Sequence, residues 1–316
     1  MGRGINDIMK LSFVIPCYGS EHTIRDVVNE VRAAICPEDD YEIVMISDHS
    51  PDNVFEVIKD LCREDPKLKG AQLSRNFGQH CALMAAYSMC TGDIIVTIDD
   101  DGQIPVDETY SLVNKINEGY DVVYGYYRDK KDSFFRKIGS KVNNKMAESM
   151  IGKPKNLIVT SFFAAKKYII DEMLNYKNAY PYIWGLVFRT TQNIGNVPVT
   201  HRKREDGKSG YTLTKLISLW MNGFTAFSIK PLRVASILGA LTAFIGFGFG
   251  IFTIINKIIH PEIAVGYSSL MAVLLFIGGM LMIMLGLIGE YIGRIYISIN
   301  NSPQYVISET VNVSRN

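Results

Sequence analysis

The sequence lacks a charge imbalance and lacks paired cysteines. Its 33 basic and 32 acidic side chains leave a net charge of +1 over 316 residues. A nucleic-acid-binding protein is expected to carry a clustered basic surface, so this balance gives no support to that class. No Cys-x-x-Cys pair occurs, which argues against a zinc or disulfide framework and predicts reduced, mostly buried thiols. The five cysteines lie in the N-terminal third, at Cys17, Cys36, Cys62, Cys81 and Cys90.

Two long stretches lack any charged residue, 234–255 and 264–289. Each has the roughly 20 apolar residues that a membrane-spanning helix requires. The sequence therefore predicts a transmembrane hairpin at 233–290, joined by a turn too short to be a domain. The apolar run at 11–16 is too short for a signal peptide, and Pro16 interrupts it.

The basic residues beside the spans indicate an orientation. Lys230 and Arg233 precede the first span, and Arg294 follows the second. The positive-inside tendency then places both ends of the chain and the N-terminal domain in the cytoplasm, on the inner face of a cytoplasmic membrane. Lys257 in the turn is a weaker indication of the opposite orientation.

Residues 11–125 alternate between apolar runs and amphipathic stretches. This pattern predicts an α/β domain with a doubly wound, mostly parallel sheet whose loops gather at one edge. The predicted strands are 11–15, 41–46, 70–73, 94–98 and 121–124. Helices are predicted between them, from a cap at Ser20 to 34, ending near 64, at 79–88 and at 105–118.

Two further segments, 130–152 and 213–231, combine an apolar stripe with basic residues. Either helix could pack on the sheet or lie in the bilayer interface, where aromatic and basic residues are common. The expected organisation is a cytoplasmic catalytic domain at 1–212, an interfacial helix at 213–232, the hairpin at 233–290 and a cytoplasmic tail at 291–316.

An acidic turn, 99–103, follows the predicted strand at 94–98. Ligand sites in α/β sheets lie at the carboxyl ends of parallel strands. Carboxylate oxygens gathered there suit Mg²⁺ or Mn²⁺ held between the protein and a diphosphate. An acidic surface turn is the alternative, but the preceding strand together with Gln103 and Pro105 favours the metal site.

Two other loops, 16–21 and 48–52, follow the first and second predicted strands. In a doubly wound sheet they converge with the acidic turn on one crevice. An aromatic ring such as Tyr18 can stack there on a nucleobase, and a carboxylate such as Asp48 can accept its N–H. Each of these two loops, taken alone, has a sequence that is common in turns. The order and spacing of the two loops and the acidic turn, however, favour a nucleotide-binding site.

With these loops, four motifs resemble those of family 2 glycosyltransferases with the GT-A fold. More narrowly, they are similar to the polyprenyl-phosphate glycosyltransferases, the group that contains dolichyl-phosphate mannose synthase and bactoprenol-phosphate sugar transferases. Residues 73–79 match Arg-Asn-x-Gly, and 99–105 match Asp-x-Asp-x-Gln-x-Pro. Residues 204–211 match Arg-x-x-Gly-x-Ser-Lys-Tyr with Gly210 in place of the lysine, and 289–296 match Gly-Glu-Tyr-Ile-Gly-Arg.

The resemblance implies roles at the matching positions. A divalent cation, Mg²⁺ or Mn²⁺, would neutralise the departing diphosphate, and guanidinium groups would clamp phosphates through paired donors. Binding of the nucleotide-sugar would fall to Pro16, Tyr18, Glu21, Asp48, Arg75, Asp99 and Asp100. The metal ligands would be Asp99, Asp101 and Gln103. The acceptor phosphate would meet Arg128, Arg204, Lys208 and Ser209, and catalysis would rest on Asp101, Arg128 and Arg204.

The implied reaction is an inverting, metal-dependent transfer of a sugar from a nucleotide diphosphate to a polyprenyl phosphate. The group commonly carries an aspartate near 157–162, but no carboxylate occurs between Gly152 and Lys167. A lipid phosphate is already ionised at pH 7, so positioning and electrostatics suffice without a base. Such a product would serve modification of cell-envelope glycans.

Two other functions are compatible with parts of the sequence. One is transfer to another lipid or a glycan, although the Gln-x-x-Arg-Trp element of processive synthases is missing. The other is a catalytically silent nucleotide-binding membrane subunit. The sugar remains open, as does UDP against GDP. Small residues at Gly246, Gly248 and Gly250 would allow spans to pack closely in a homo-oligomer.

Overall fold

The computed structural model describes residues 9–127, 148, 152–200, 230–260, 266–300 and 302–313. The chain divides into two compact units, one of residues 1–219 with 301–316 and one of residues 220–300. The amphipathic segments predicted at 130–152 and 213–231 fall almost wholly outside the described residues, as do the predicted phosphate-binding residues Arg128, Arg204, Lys208 and Ser209.

The first half of the larger unit has the alternation that the sequence predicts. Its strands read as continuous apolar runs because helices cover both faces of a parallel sheet. The strands are β1 (Lys10–Cys17), β2 (Asp40–Ser47), β3 (Leu68–Leu73) and β4 (Ile94–Thr97). The helices are α1 (Ile24–Ala34), α2 (Val54–Glu64) and α3 (Gln79–Tyr87). The first helix starts after Ser20, with Thr23 as its N-cap residue.

In the second half a helix at 105–118 and a strand at 121–124 were predicted, and both occur with shifted bounds, whereas the other elements were not predicted. The predicted helix at 105–118 is divided into a 3₁₀ turn (Val106–Glu108) and α4 (Thr109–Asn117). There follow β5 (Val122–Tyr127), β6 (Phe163–Lys166), α5 (Lys167–Leu174), α6 (Ile183–Thr190) and β7 (Ile194–Val199). Strand β6 has only four residues, Phe-Ala-Ala-Lys, and pairs antiparallel with both β4 and β5. Pairing on both sides overrides the weak strand preference of alanine and lysine.

A last strand, β8 (Ile307–Val311), lies within the segment expected to be a tail. It pairs antiparallel with β3 and completes an eight-stranded sheet of order β7-β5-β6-β4-β1-β2-β3-β8. Asn312 closes this edge, since its side-chain amide donates to the carbonyl oxygens of Cys62 at 2.6 Å and Leu68 at 2.9 Å. The expected α/β fold is confirmed; the sheet, predicted to be mostly parallel, has four parallel and three antiparallel strand pairs.

The buried carboxylate of Glu42, on β2, connects β2 to β1 and β3 at the amino end of the sheet. It accepts from the Ser12 hydroxyl at 2.6 Å and the Thr91 hydroxyl at 2.9 Å, and it pairs with Lys69 at 2.7 Å. Burial alone would raise the pKa of Glu42, but the hydrogen bonds from Lys69, Ser12 and Thr91 lower it to about 2. This end of the sheet is therefore a structural network.

The described part of the smaller unit contains two long helices, α7 (Lys230–Ile259) and α8 (Tyr267–Ile299). Both are long and apolar enough to cross a membrane, with candidate spans at Ala235–Asn256 and Phe276–Ile297. Large apolar side chains project outward, with Phe247 70% and Met282 72% exposed. Exposed apolar surface of this extent is typical of a membrane-facing helix, and it agrees with the two predicted spans.

Candidate glycosyl-transfer site

The first loop and the acidic turn meet at the carboxyl ends of β1 and β4. The backbone N–H of Tyr18 donates to the Asp100 carboxylate at 2.9 Å, and the Thr23 hydroxyl donates to the Asp100 carbonyl oxygen at 2.6 Å. Burial raises the pKa of Asp100, whereas the Tyr18 N–H lowers it. The ring of Tyr18 remains 55% exposed, so it is accessible to a nucleobase.

The first and second loops are joined by reciprocal hydrogen bonds. The N–H of Glu21 donates to Asp52 at 2.9 Å, and the N–H of Asn53 donates to the Glu21 carboxylate at 3.0 Å. The N–H of Gly19 donates to the Ser50 hydroxyl at 2.8 Å. Glu21, predicted to bind the nucleotide, thus also holds the two loops together. Pro16, predicted for the same role, lies buried within β1 opposite Ile46.

Asp48 connects the second loop to a fourth one, 74–78, which follows β3. Its two carboxylate oxygens accept from the backbone N–H groups of Phe77 at 2.7 Å and Gly78 at 2.8 Å. Gly78 has φ +92°, a conformation that glycine adopts without penalty. Burial raises the pKa of Asp48, against the effect of these two donors. Each oxygen keeps a second acceptor site, so the predicted contact with uracil remains a prediction.

Arg75 lies on this fourth loop and is exposed. Its guanidinium group stacks over the ring of Phe77, 4.6 Å from the ring centroid. Such stacking holds the guanidinium while leaving its N–H groups directed outward. Arg75 is therefore accessible to an anionic ligand, and its role in binding the nucleotide remains a prediction.

Both carboxylate oxygens of Asp99 accept hydrogen bonds from neighbouring side chains. The Gln79 side-chain amide donates to one carboxylate oxygen at 3.1 Å, and the Ser161 hydroxyl donates to the other. Burial raises the pKa of Asp99 to about 6; the Ser161 hydrogen bond opposes that shift, and the charges of Asp101 and Asp100 add to it. Neither Gln79 nor Ser161 was predicted to belong to the site. Gln79 lies in the Arg-Asn-x-Gly segment, and Ser161 lies in the stretch 157–162, near which the group commonly carries an aspartate.

The acidic turn offers the oxygen donors expected for a divalent cation. Gly102 has φ +70°, and the N–H of Gln103 donates to Asp101 at 3.1 Å. No cluster of three or more His, Cys, Asp or Glu side chains arranged around a common point occurs in the described part of the chain. Mg²⁺ is usually bound by one or two carboxylates together with substrate phosphates. The residues present therefore fit a cation shared with a diphosphate, and the ligand set of Asp99, Asp101 and Gln103 remains a prediction.

The fold and the site define a GT-A glycosyltransferase: a mixed sheet of this order with an acidic turn at the end of β4. The chain belongs to glycosyl transferase family 2, whose family model matches residues 12–174, and a GtrB C-terminal hairpin model matches residues 230–295. The protein is therefore an enzyme that transfers a glycosyl group, as the four motifs predict.

Curated relatives match nearly the whole chain. A Klebsiella pneumoniae protein is 35% identical over 308 residues, covering 96% of this chain and 94% of its own. An Enterobacter sp. (strain 638) protein is 35% identical over 312 residues, covering 97% and 95%. Both are named undecaprenyl-phosphate 4-deoxy-4-formamido-L-arabinose transferase.

Among solved structures, glucosyl-3-phosphoglycerate synthase of Mycobacterium tuberculosis, in complex with Mn²⁺, UDP-glucose and phosphoglyceric acid, superposes with a TM-score of 0.48 at 16% identity. The match covers 67% of this chain and 76% of that one. The Staphylococcus aureus protein TarS, residues 1–349, gives a TM-score of 0.44 at 17% identity, over 61% and 60% of the two chains.

Proposed function

We propose that this glycosyltransferase moves a sugar from a nucleotide diphosphate, UDP in the first instance, to the phosphate of a polyprenyl lipid such as undecaprenyl phosphate. The product is a polyprenyl-phosphate-linked monosaccharide used in modifying the cell envelope. The observation that carries this proposal is the 35% identity to two named undecaprenyl-phosphate sugar transferases, which extends through both the catalytic domain and the hairpin.

The donor side of the proposal is supported by the four connected loops. Tyr18 presents an accessible ring, Asp48 lies behind the 74–78 loop, and Arg75 offers donors to phosphate. A bound Mg²⁺ or Mn²⁺ would neutralise negative charge on the departing diphosphate. Asp101 and Gln103 would hold it beside the carboxylate of Asp99. Preorganised loops of this kind place the sugar without rearrangement at the moment of reaction.

The acceptor side of the proposal needs no general base. An ionised phosphate oxygen attacks the anomeric carbon, the bond from that carbon to the diphosphate oxygen breaks with its electron pair, and the configuration inverts. Ser161 lies in the stretch 157–162, near which the group commonly carries an aspartate, and its hydroxyl donates a hydrogen bond to Asp99. In this arrangement Ser161 supports Asp99 and does not take up a proton. Arg128, Arg204, Lys208 and Ser209 remain the proposed acceptor-phosphate residues.

The path of the chain supports a cytoplasmic location for both ends. Strand β8 follows the second span, yet it pairs with β3, which precedes the first span. An even number of crossings is needed to return to the same sheet. Together with the positive-inside tendency, this supports a cytoplasmic catalytic domain and a cytoplasmic β8. A cysteine replacing Glu262, in the turn between the spans, should react with an impermeant maleimide in intact cells of a Gram-negative host. A cysteine replacing Glu309, on β8, should react only after the cells are lysed. The reverse pattern of labelling would contradict this topology.

The proposed activity is tested with the purified full chain, undecaprenyl phosphate, Mn²⁺ or Mg²⁺, and a panel of radiolabelled UDP- and GDP-sugars. The expected result is a chloroform-soluble, mild-acid-labile product from at least one UDP-sugar, which disappears when EDTA removes the metal. A product formed only from GDP-sugars would correct the donor. No product from any donor, with nucleotide still bound, would contradict the proposed acceptor.

A further inference from the structure

A short segment lies between α8 and the last strand, β8. Its residues 304–306, which we call the strap, belong to no helix or strand. Each residue of the strap makes a hydrogen bond to a different part of the larger unit. Irregular segments near a chain end are poorly ordered unless such contacts hold them. The strap is therefore fixed in place on the larger unit.

Gln304 begins the strap and pairs with two backbone carbonyl groups. Its side-chain amide donates to the carbonyl oxygen of Tyr176 at 2.6 Å and to that of Asn178 at 2.9 Å. Both carbonyls belong to the segment that joins α5 to α6. The hydroxyl of the next residue, Tyr305, donates to the Ser88 hydroxyl at 3.3 Å, just after the end of α3. These contacts attach the first part of the strap to two separate elements of the larger unit.

The strap ends against the loop that carries Arg75. The backbone N–H of Ser74 donates to the carbonyl oxygen of Val306 at 2.8 Å. This hydrogen bond continues the pairing of β3 with β8 beyond the last paired residues of the two strands and into the 74–78 loop. The first residue of that loop is thus held by chain that follows the second apolar helix.

The 74–78 loop is consequently held at both of its ends. The strap accepts from its first residue, and Asp48 accepts from the N–H groups of Phe77 and Gly78 at its other end. Arg75 lies between these two attachments, exposed and stacked over Phe77. A binding group that is already held in place loses less conformational freedom when its ligand arrives. The two attachments therefore favour binding of an anion by Arg75.

We infer that the strap is a positioning element of the donor site and that Gln304 is its positioning residue. By holding the start of the 74–78 loop, the strap keeps Arg75 placed for the diphosphate; this inference rests on the proposed nucleotide-sugar donor. Gln304 acts through the backbone and not by contact with the ligand. Segments held by few hydrogen bonds open locally at a low free energy. Loss of the two Gln304 hydrogen bonds therefore releases one of the two attachments of the loop.

A matched pair of side-chain amides lies at the two ends of β8. Gln304 donates to two carbonyls before the strand, and Asn312 donates to the carbonyl oxygens of Cys62 and Leu68 after it. Gln304→Glu and Asn312→Asp each keep the size of the side chain but place a carboxylate against two carbonyl oxygens. Aspartate also tolerates the left-handed backbone of Asn312, where φ is +56°. The strap links only Gln304 to the 74–78 loop, so Asn312→Asp is the control.

A second variant, Gln304→Ala, removes the amide without adding a charge. The test measures the dissociation constant for UDP of the full chain in detergent with Mn²⁺, together with kcat and KM for the UDP-sugar that the wild-type chain transfers. We expect both Gln304 variants to weaken UDP binding and raise KM about five- to tenfold, the value of about one lost hydrogen bond. The value of kcat should change less than about twofold, since loss of ground-state binding raises KM alone.

Amide hydrogen exchange at Ser74 separates this role from a general loosening of the fold. The exchange rate at Ser74 should rise in both Gln304 variants, because its N–H is the group that the strap holds. Asn312→Asp should leave the UDP affinity, KM and the exchange rate at Ser74 unchanged, whatever its effect on the melting temperature.

Three results would overturn the inference. The first is unchanged UDP affinity and KM in both Gln304 variants, and the second is an equal loss in Asn312→Asp. The third is weaker UDP binding in the Gln304 variants with Ser74 exchanging at the wild-type rate, because the effect would then not pass through the loop. A wild-type chain that binds UDP but transfers no sugar to lipid contradicts the proposed function, and the UDP titrations and exchange rates still decide this inference. A wild-type chain that binds no nucleotide removes both.

Discussion

The Ser161 hydroxyl donates a hydrogen bond to the carboxylate of Asp99, across 62 residues of chain. Ser161 lies just before β6, and Asp99 lies just after β4, the antiparallel neighbour of β6. The pairing of those two strands therefore brings a neutral donor to the acidic turn, in the stretch where the glycosyltransferase group usually carries an aspartate. The donor holds Asp99 in one orientation.

Removing that donor should reduce catalysis more than folding. Ser161→Ala leaves one oxygen of a buried carboxylate unpaired, and a hydrogen bond to a charged group contributes about 1.5–3 kcal/mol. We expect kcat/KM for the donor to fall about ten- to hundredfold, with little change in melting temperature. The measurement is radiolabel transfer. Ser308→Ala, at an exposed serine on β8, is the control, and equal activity of the two variants would show that Ser161 has no part in the site.

Asp101→Asn should remove the metal-dependent step. The amide keeps the size of the side chain but lacks the negative charge that a cation requires, so we expect a loss of transfer of about a hundredfold or more. The fold should be retained, as judged by melting temperature. Asp107→Asn, at an exposed aspartate in the following 3₁₀ turn, should behave as wild type. Full activity of Asp101→Asn would exclude Asp101 as a metal ligand.

Asp48→Asn should loosen the 74–78 loop before any nucleotide binds. One carboxylate oxygen becomes an NH₂ group, which faces a backbone N–H donor of Phe77 or Gly78. A buried donor left without an acceptor costs about 1–3 kcal/mol. We expect faster amide hydrogen exchange at Phe77 and Gly78 in the ligand-free protein, and weaker UDP binding.

The control for Asp48 is Asp60→Asn, which changes an exposed aspartate on α2. Asp48→Asn could weaken UDP binding while amide exchange at Phe77 and Gly78 stayed at the wild-type rate. That result would mean that the Asp48 carboxylate contacts the nucleobase and does not stabilise the 74–78 loop. If neither quantity changed, its two hydrogen bonds would contribute nothing to the site.

Glu42 should make the free energy of unfolding of the larger unit depend on pH in the acidic range. Its pKa is about 2 in the folded protein and near the ordinary glutamate value of about 4.3 when unfolded. The stabilisation is therefore fully present above about pH 4.3 and is lost as the pH falls towards 2, with an upper limit of about 3 kcal/mol. Glu42→Gln should lower the melting temperature at pH 7 and reduce its fall between pH 5 and 3.

Thermal unfolding of the purified chain across that pH range measures this effect, and Glu38→Gln, at an exposed residue, is the control. A melting temperature that falls equally steeply with acid in Glu42→Gln and wild type would assign the acid sensitivity to other carboxylates.

Local patterns were sufficient for much of the fold and for part of the site. The apolar runs of β1, β2 and β4 and the uncharged lengths of α7 and α8 each follow from neighbouring residues, because burial and membrane insertion select composition directly. The acidic turn at 99–103 was predicted for the same reason, since a strand followed by a turn is a local signal. The five cysteines are free thiols, four of them buried, as predicted.

The sequence by itself thus determined the glycosyltransferase class, the acidic turn and the two apolar helices. Tertiary structure alone decided β6, β7 and β8, and with them the contacts from Ser161 to Asp99 and from β8 to β3. These elements are short, and their pairing partners lie far away in the chain. The hydrogen bonds and packing that select them exist only when distant strands meet, so no local period predicts them. The edge-to-face contacts among the rings of His80, Tyr182 and Trp184 have the same origin.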